Sequence, residues 1–260
     1  MNNVALITGA TGGLGKEFAK LFARDGYNLL LTGRKEEKLA LLKNEVETTY
    51  NVKAEIFACD LSKAGATEKL FSFVKEKQAE VTALVNNAGF GDFNEFYRAN
   101  EEKLADMVQV NVAVPTLLTR MFLPAMVQRK RGVILNVASV AAFAPGPLMS
   151  VYYATKAYML SFSEGLYQEM KKYGVTVTAL CPGPTQTGFE SAAALEQSGL
   201  FKNLKIASAE RTAAFGYKKC KKGKAVAIHG FSNRVLTFFM KISPRAFVRK
   251  CVYHIQKEKK

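Results

Sequence analysis

The chain has 260 residues, of which 48% are hydrophobic and 23% charged, a composition typical of a globular protein and unlike that of a disordered or low-complexity chain. Its four cysteines, Cys59, Cys181, Cys220 and Cys251, lie far apart with no Cys-x-x-Cys pair, which argues against a disulfide framework and a zinc site. The formal net charge is +15, yet residues 218–260 hold 13 Lys and Arg against one acid, so the charge excess belongs to this last part of the chain.

The N-terminus predicts a chain that folds almost from its first residue. The stretch "MNNVALITGATGG" has no basic region, and its apolar run "VALI" is too short for a signal peptide or a membrane span. Nothing in the sequence resembles a linker. We therefore expect one domain over residues 1–260, and the widely spaced cysteines favour the cytoplasm.

Short β-branched apolar runs alternate with helical patterns along the chain. In order, the predicted strands are "VALIT", "YNLLLTG", "AEIFAC", "ALVNNAG", "VILNVAS", "VTVTALC" and "KAVAIHG". Helical segments such as "KEFAKLFARDG" and "EGLYQEMKKYG" lie between them and end at Gly26 and Gly174. This order predicts a doubly wound Rossmann-type α/β fold, with a seven-stranded parallel sheet, helices on both faces and a ligand at the carboxyl ends of the strands.

The turn after the first strand, "TGATGGLG", predicts a phosphate site. Gly9, Gly13 and Gly15 permit a tight turn and a close approach of backbone to phosphate, and the helix that follows presents free N–H groups at its start. A plain strand-to-helix turn is the alternative interpretation.

The second strand ends in "TGRK", where the adenosine ribose of a dinucleotide would lie. Arg34 and Lys35 favour a 2′-phosphate at this place, whereas an acid would favour a free ribose diol. The sequence therefore predicts NADP rather than NAD. The alternative is that Arg34 is an ordinary solvated charge.

Five signatures in this order resemble the short-chain dehydrogenase/reductase family: "TGATGGLG", "CDLS", "NNAG", a serine thirteen residues before "YYATK", and "CPGPTQT". The resemblance covers roughly residues 4–190. It implies that Asp60 lies beside the adenine, Asn86 beside a ribose, and Thr187 beside the carboxamide or pyrophosphate. Many NADP-dependent members have a basic residue where this chain has Gly12, so the 2′-phosphate would depend mainly on Arg34. The cofactor-binding residues that we predict are Gly9, Thr11, Gly12, Gly13, Leu14, Gly15, Arg34, Lys35, Asp60, Leu61, Asn86, Ala88, Gly89, Tyr152, Lys156, Pro182, Gly183, Thr185 and Thr187.

The stretch "SVYYATKAYML" holds two tyrosines close to one lysine. On a helix, Lys156 could neighbour either Tyr152 at i, i+4 or Tyr153 at i, i+3, so the spacing alone does not decide between them. The family's Tyr-x-x-x-Lys pattern selects Tyr152. Tyr153 then points about 100° away around the helix, into packing or a subunit contact.

The resemblance implies a catalytic set of Asn111, Ser139, Tyr152 and Lys156. Reduction of a ketone by hydride leaves an alkoxide that needs a proton donor, and Tyr152 would supply the proton. Lys156 would lower the pKa of that phenol and bond the nicotinamide ribose, while Ser139 would hold the carbonyl oxygen. Asn111 would hold a water that links the lysine to solvent. The alternatives are that Ser139 caps a helix and that Asn111 satisfies a buried backbone group.

The substrate region is predicted to be apolar. By resemblance, the substrate contacts the loop after the fifth strand and the segment after "CPGPTQT", which supply Phe143, Leu148, Met149 and Phe189, with residues 183–215 as a lid. Such a wall suits a hydrophobic carbonyl compound, an acyl thioester or a steroid-like ketone, better than a sugar. The two histidines, His229 and His254, have no third ligand at a suitable spacing, so we expect no metal.

Residues 218–260 are predicted to form a basic last strand and a helical tail. Pro244 divides two apolar helical stretches, and in the second of these an apolar stripe is opposed by Arg245 and Arg249. This helix could lie on an anionic membrane surface, or it could cover the core or an oligomer contact. The family implies a homodimer or homotetramer. A nucleic-acid partner is less favoured because the chain has no readout motif.

We expect an NADPH-dependent reductase of a hydrophobic ketone. The alternative from another class is a non-catalytic NADP(H)-binding module with a basic tail that contacts a partner or a membrane. Retention of all four residues of the catalytic set favours the enzyme, because a protein that only binds the cofactor needs no proton donor.

Overall fold

The computed structural model describes residues 1–188 and 206–257. Seven parallel strands form one sheet in the order β3-β2-β1-β4-β5-β6-β9. They are β1 Val4–Thr8, β2 Asn28–Gly33, β3 Ala54–Ala58, β4 Val81–Asn86, β5 Gly132–Val137, β6 Val175–Cys181 and β9 Val226–Ile228. A short parallel pair, β7 Thr185–Gln186 and β8 Ala207–Ser208, lies outside this sheet. Each predicted strand is present, so the predicted seven-stranded doubly wound fold is confirmed.

Helices cover both faces of the sheet. They are α1 Gly13–Arg24, α2 Glu36–Tyr50, α3 Ala66–Glu76, α4 Glu101–Val108, α5 Val114–Gln128, α6 Ser150–Met170, α7 Ala209–Lys221, α8 Phe231–Ile242 and α9 Arg245–Gln256. Alternate residues of one strand enter opposite cores: Ile7 packs with α1 and α2, and Leu6 packs with α3 and α5. Both faces of each central strand are therefore buried, which explains the continuous apolar runs.

The helix α4 continues into α5 through a π-helical turn, Gln109–Ala113. Together they form the one helix, Glu101–Gln128, that is long and apolar enough to cross a membrane among the residues that the structure describes. This helix packs against α3 and the central strands β4 and β5, and a helix of the core needs the same apolar composition.

The strand order reverses between β1 and β4. In an open α/β sheet, the two crossovers that leave such a point diverge to opposite faces and create a crevice at the carboxyl ends of the strands. The loops after β1, β4, β5 and β6 meet at this edge, so the fold places the predicted cofactor and catalytic residues together.

Candidate active site

A cavity of about 980 Å³ opens at the carboxyl ends of the strands. Its wall includes most of the residues predicted from the sequence. These are Gly9, Thr11, Gly12, Gly13, Leu14, Arg34, Asp60, Leu61, Ala88, Gly89, Ser139, Met149, Tyr152, Lys156, Pro182, Gly183, Thr185 and Thr187. This volume lies at the upper end of the range usual for ligand and cofactor sites.

The turn after β1 has the form that a phosphate needs. Gly9 lies at φ +62°, a conformation that favours glycine. A side chain at Gly13 would place its Cβ 2.8 Å from Thr187 Cα, so only a residue without Cβ allows this close approach. The helix α1 begins after Gly12 with no side-chain cap and no acid in its first turn. Its first N–H groups and positive dipole end therefore suit an anion.

Three predicted cofactor residues lie off the cavity wall. Gly15 is packed against the Gly9 carbonyl inside the turn, and Lys35 directly precedes α2. Asn86 is buried in the core, where its Nδ2 donates to Asn136 Oδ1 at 2.8 Å. The next residue, Asn87, lines the cavity instead.

Asn87 is a residue that the sequence reasoning missed. Its side-chain amide donates to the carbonyls of Thr8 and Gly9, at 2.9 and 3.0 Å, and so ties the end of β4 to the glycine turn. The doubled Asn in "NNAG" was visible in the sequence. The missing information was which of the two follows the last paired residue of β4, because that decides which one faces the loop.

Arg34 and Asp60 meet on the wall near the end of β2. The carboxylate of Asp60 accepts a hydrogen bond from the Ser62 backbone N–H at 3.0 Å. This bond lowers the pKa of Asp60, and the positive charge of Arg34 lowers it further. Arg34 therefore lies where the 2′-phosphate was predicted, next to an ionised carboxylate.

Tyr152, Ser139 and Lys156 come together at the end of β5. Ser139 begins the 3₁₀ turn Val140–Phe143, and its hydroxyl is hydrogen-bonded to Tyr152. Lys156 extends from α6 and donates from Nζ to the Val137 carbonyl at 2.8 Å, with the same Nζ 5.7 Å from the centre of the Tyr152 ring. All three side chains are buried beside the cavity.

Burial controls the protonation of these groups. It raises the pKa of Tyr152, although the hydrogen bond with Ser139 works in the opposite direction. Burial also lowers the pKa of Lys156 to about 8. Burial therefore outweighs the hydrogen bond with Ser139 in setting the pKa of Tyr152, and the lowering of the phenol pKa by Lys156 stays a prediction. A neutral phenol is the form that can donate a proton.

Asn111 is buried and does not line the cavity. The π-helical turn directs its side chain toward Phe90, whose backbone N–H donates to Oδ1 at 3.1 Å and whose carbonyl accepts from Nδ2 at 2.9 Å. Its Nδ2 also donates to Thr155 on α6. The side chain thus satisfies the half-buried backbone of Phe90, close to the alternative interpretation, and it joins the α4–α5 helix to α6. The water-holding role of Asn111 stays a prediction.

The arrangement agrees with a family comparison. A sequence model described as short chain dehydrogenase matches residues 3–198. The chain belongs to the short-chain dehydrogenase family. This confirms the family that the five signatures predicted.

Two relatives show the range of proteins that this short-chain dehydrogenase is similar to. A very-long-chain 3-oxoacyl-CoA reductase from Laccaria bicolor is 38% identical over 178 residues, which cover 68% of this chain and 53% of that protein. An inactive hydroxysteroid dehydrogenase-like protein 1 from Homo sapiens is 35% identical over 182 residues, which cover 68% of this chain and 54% of that protein. The chain therefore spans about half the length of the curated relatives it matches.

A solved structure shares the whole fold. The short-chain dehydrogenase from Sphingobium yanoikuyae in complex with NADPH has a TM-score of 0.82 and 26% sequence identity, and the match covers 94% of this chain and 97% of that chain.

The second tyrosine of this short-chain dehydrogenase points toward the C-terminal helix. The Tyr153 hydroxyl accepts a hydrogen bond from Gln256 Nε2, and its ring packs against Gly146. Burial raises the pKa of Tyr153 to about 12. Tyr153 belongs to α6 and packs against α9, and it also lines part of the cavity.

The predicted substrate residues lie in different places. Met149 is on the cavity wall, and Phe189 lies outside the described residues. Phe143 lies off the wall with its ring under Lys241, and Leu148 lies beside Asn94, whose N–H donates to the Leu148 carbonyl. Neither of these two side chains lines the cavity.

The C-terminal helices add apolar side chains to the cavity wall. Its members on α8 and α9 are Leu236, Met240, Val252 and Ile255. The basic charge and Pro244 separate this segment from the rest of the sequence pattern, so the sequence predicts a tail here. The buried side chains Val248, Val252 and Gln256, spaced four residues apart, show that α9 covers the core.

His229 has a structural environment. Its ring contacts Thr212 and packs near Phe215, and burial lowers its pKa. Within residues 1–188 and 206–257, no group of three or more His, Cys, Asp or Glu lies together as metal ligands would.

Proposed function

We propose that this protein is an NADPH-dependent reductase that transfers hydride to a hydrophobic ketone. The observation that supports this proposal is the position of the Tyr152 hydroxyl. It lies beside Ser139 and Lys156 on the wall of the same cavity as the glycine turn. A proton donor and a dinucleotide site within one cavity are what carbonyl reduction requires.

The empty space left by the glycines supports NADP(H) as the cofactor. The turn from Gly9 to Gly13 and the uncapped start of α1 would hold the pyrophosphate, since any Cβ at Gly13 would collide with Thr187. Arg34 would bind the 2′-phosphate, and Asp60 would lie beside the adenosine. When bound, the cofactor supplies the hydride from its nicotinamide ring.

The protein's own groups would manage the proton. Tyr152 is kept neutral by burial and would donate its proton to the oxygen of the ketone as negative charge develops there. Ser139 would donate a second hydrogen bond to the same oxygen. The positive charge of Lys156, 5.7 Å from the phenol ring, would stabilise the phenolate that remains.

The cavity wall supports a large apolar substrate. Met149, Leu236, Met240 and Val252 are aliphatic or thioether side chains on the wall, and Ile255 lies at its rim. The relative from Laccaria bicolor is named for a very-long-chain 3-oxoacyl-CoA substrate, which agrees with such a wall. We propose a long-chain 3-oxoacyl thioester or a steroid-like ketone as the substrate class.

The alternative is a protein that binds NADP(H) without turnover. One relative is named inactive, so this alternative has a concrete precedent. The assembled group of Tyr152, Ser139 and Lys156 argues against it, because binding alone does not require a buried phenol beside a serine hydroxyl.

The experiment is an assay of NADPH oxidation, with NADH in parallel, over a panel of ketones, 3-oxoacyl thioesters and steroids. We expect turnover with NADPH that is lost in Tyr152→Phe and retained in Tyr153→Phe, the matched control one residue away. Binding of NADPH without reduction of any compound would support the non-catalytic alternative. Loss of turnover in Tyr153→Phe alone would mean that Tyr153, and not Tyr152, is the proton donor.

A further inference from the structure

The helix α8 presents its apolar side to solvent. Its inner face consists of Asn233, Thr237 and Met240, the three residues of α8 that are not exposed. The outer face is formed by Phe231, Val235, Phe238 and Ile242 at i, i+4, i+7 and i+11, with side chains that are 39–75% exposed. An ordinary surface helix has the opposite arrangement.

Exposed apolar surface is concentrated on the two C-terminal helices. Of the sixteen large hydrophobic side chains that are exposed in the described chain, nine lie on α8 and α9. They are Phe231, Val235, Leu236, Phe238, Phe239, Ile242, Phe247, Tyr253 and Ile255. Clustering of this kind, rather than single scattered residues, marks a binding surface. We name these nine residues the C-terminal apolar surface.

The same helices are strongly basic. Residues 218–257 contain no Asp or Glu. Arg234 and Lys241 flank the outer stripe of α8, and Arg245, Arg249 and Lys250 follow on α9. An apolar stripe bordered by cations alone is complementary to a surface that is negative outside and apolar just beneath.

We propose that the C-terminal apolar surface binds the surface of an anionic lipid bilayer. Aromatic and aliphatic side chains of α8 would enter the boundary between headgroups and acyl chains, while the flanking Arg and Lys contact anionic headgroups. This docking does not depend on catalysis. It goes beyond the reductase function, which could operate in solution.

The position of the cavity gives the docking a consequence. Leu236 and Ile255 line the cavity and are also about half exposed, at 45% and 52%, so they lie at its mouth. Both belong to the C-terminal apolar surface. A docked protein would therefore open its cavity toward the lipid, and an apolar substrate could enter without crossing water.

A second copy of the chain is a weaker occupant for this surface. A two-fold contact brings the same patch of both copies together. The cations on α8 and α9 would then face each other without a neighbouring acid on these helices. An anionic bilayer relieves this repulsion, and a second copy increases it.

The test is flotation of the full chain with phosphatidylcholine vesicles, compared with vesicles that also contain phosphatidylglycerol. We expect binding to the anionic vesicles that weakens about tenfold or more without phosphatidylglycerol or at high salt. The variant Phe238→Asp with Ile242→Asp should lose about tenfold or more in binding. The matched control is Phe96→Asp with Tyr97→Asp, because both residues are exposed, at 66% and 75%, and the change in net charge is the same.

Thermal unfolding of both variants checks that they remain folded. Equal loss in the two variants would mean that net charge alone acts, and it would overturn the proposal. Unchanged vesicle binding by the α8 variant would also overturn the proposal. It would mean that the basic charges bind anions without the apolar stripe, as a site for nucleic acid or another polyanion does. A dimer that the α8 variant alone dissociates, without vesicle binding, would assign the surface to a second copy.

Discussion

The side-chain amide of Gln256 donates a hydrogen bond to the phenolic oxygen of Tyr153, and this contact joins the end of α9 to the helix that holds Tyr152 and Lys156. Both side chains are buried, and Gln256 Oε1 has no partner in the described part of the chain. The cavity residues Val252 and Ile255 lie within one turn of this contact. The hydrogen bond therefore fixes one wall of the cavity relative to α6.

This contact predicts coupling between Tyr153 and Gln256. Tyr153→Phe leaves the buried amide unpaired and should destabilise the fold by about 1–3 kcal/mol. Gln256→Met should cost a similar amount, but the double variant should cost less than the sum because neither polar group is then left buried alone. In each single variant we expect KM for the ketone to rise with little change in kcat, because the cavity wall formed by α9 loosens while Tyr152 is intact. Additive effects in chemical denaturation would contradict the coupling.

Arg34 and Lys35 provide a matched pair for cofactor preference. Arg34 lies on the cavity wall, and its neighbour Lys35 does not. Arg34→Ala should reduce the ratio of kcat/KM for NADPH to that for NADH by about 10- to 100-fold, because a charge-assisted hydrogen bond to the 2′-phosphate is lost. Lys35→Ala makes the same change in net charge and should leave the ratio nearly unchanged. An equal effect of both would indicate general electrostatic attraction.

The sequence predicted the sheet and the shared helix of Tyr152 and Lys156 because each rests on a local pattern. The strands are continuous apolar runs, and Tyr152 and Lys156 are fixed by one helical spacing. The substrate wall could not be predicted in this way. Phe143 and Leu148 depend on the path of a short turn, and Leu148 has a φ of +66° that no pattern indicated. The contribution of Val252 depends on a long-range contact between the chain's last helix and its centre, which no local signal encodes.

Two helical glycines predict opposite effects of alanine. At Gly15, a Cβ would collide with the Gly9 carbonyl and lie 2.8 Å from Asn87 Nδ2, so Gly15→Ala should distort the phosphate turn. We expect a loss of about 1–3 kcal/mol in stability and weaker NADPH binding. At Gly165, in the exposed middle of α6, a Cβ meets nothing within 4 Å. Gly165→Ala should therefore stabilise the protein by about 0.5–1 kcal/mol. Its affinity for NADPH, measured by titration calorimetry, should not change. Tight NADPH binding by Gly15→Ala would contradict the assigned turn.

Buried Lys156 predicts a pH-dependent difference in stability. Its pKa is about 8 in the folded protein against 10.5 for an ordinary lysine, so the unfolded chain binds the proton more tightly. The resulting penalty on folding is fully present below about pH 8 and disappears as the pH rises from about 8 toward 10.5. We expect the free energy of unfolding of the wild type to gain about 1–3 kcal/mol relative to Lys156→Met between pH 7.5 and about 10.

Comparison with Lys156→Met is essential because other buried groups act in the opposite direction. Burial raises the pKa values of Tyr153 and Cys220 to about 12, so their ionisation in the unfolded chain lowers the stability of both proteins at alkaline pH. Their contributions cancel in the difference between the two urea-denaturation curves. A difference that stays constant from pH 7.5 to about 10 would mean that Lys156 keeps an ordinary pKa, in which case it is solvated more fully than its contact with the Val137 carbonyl indicates.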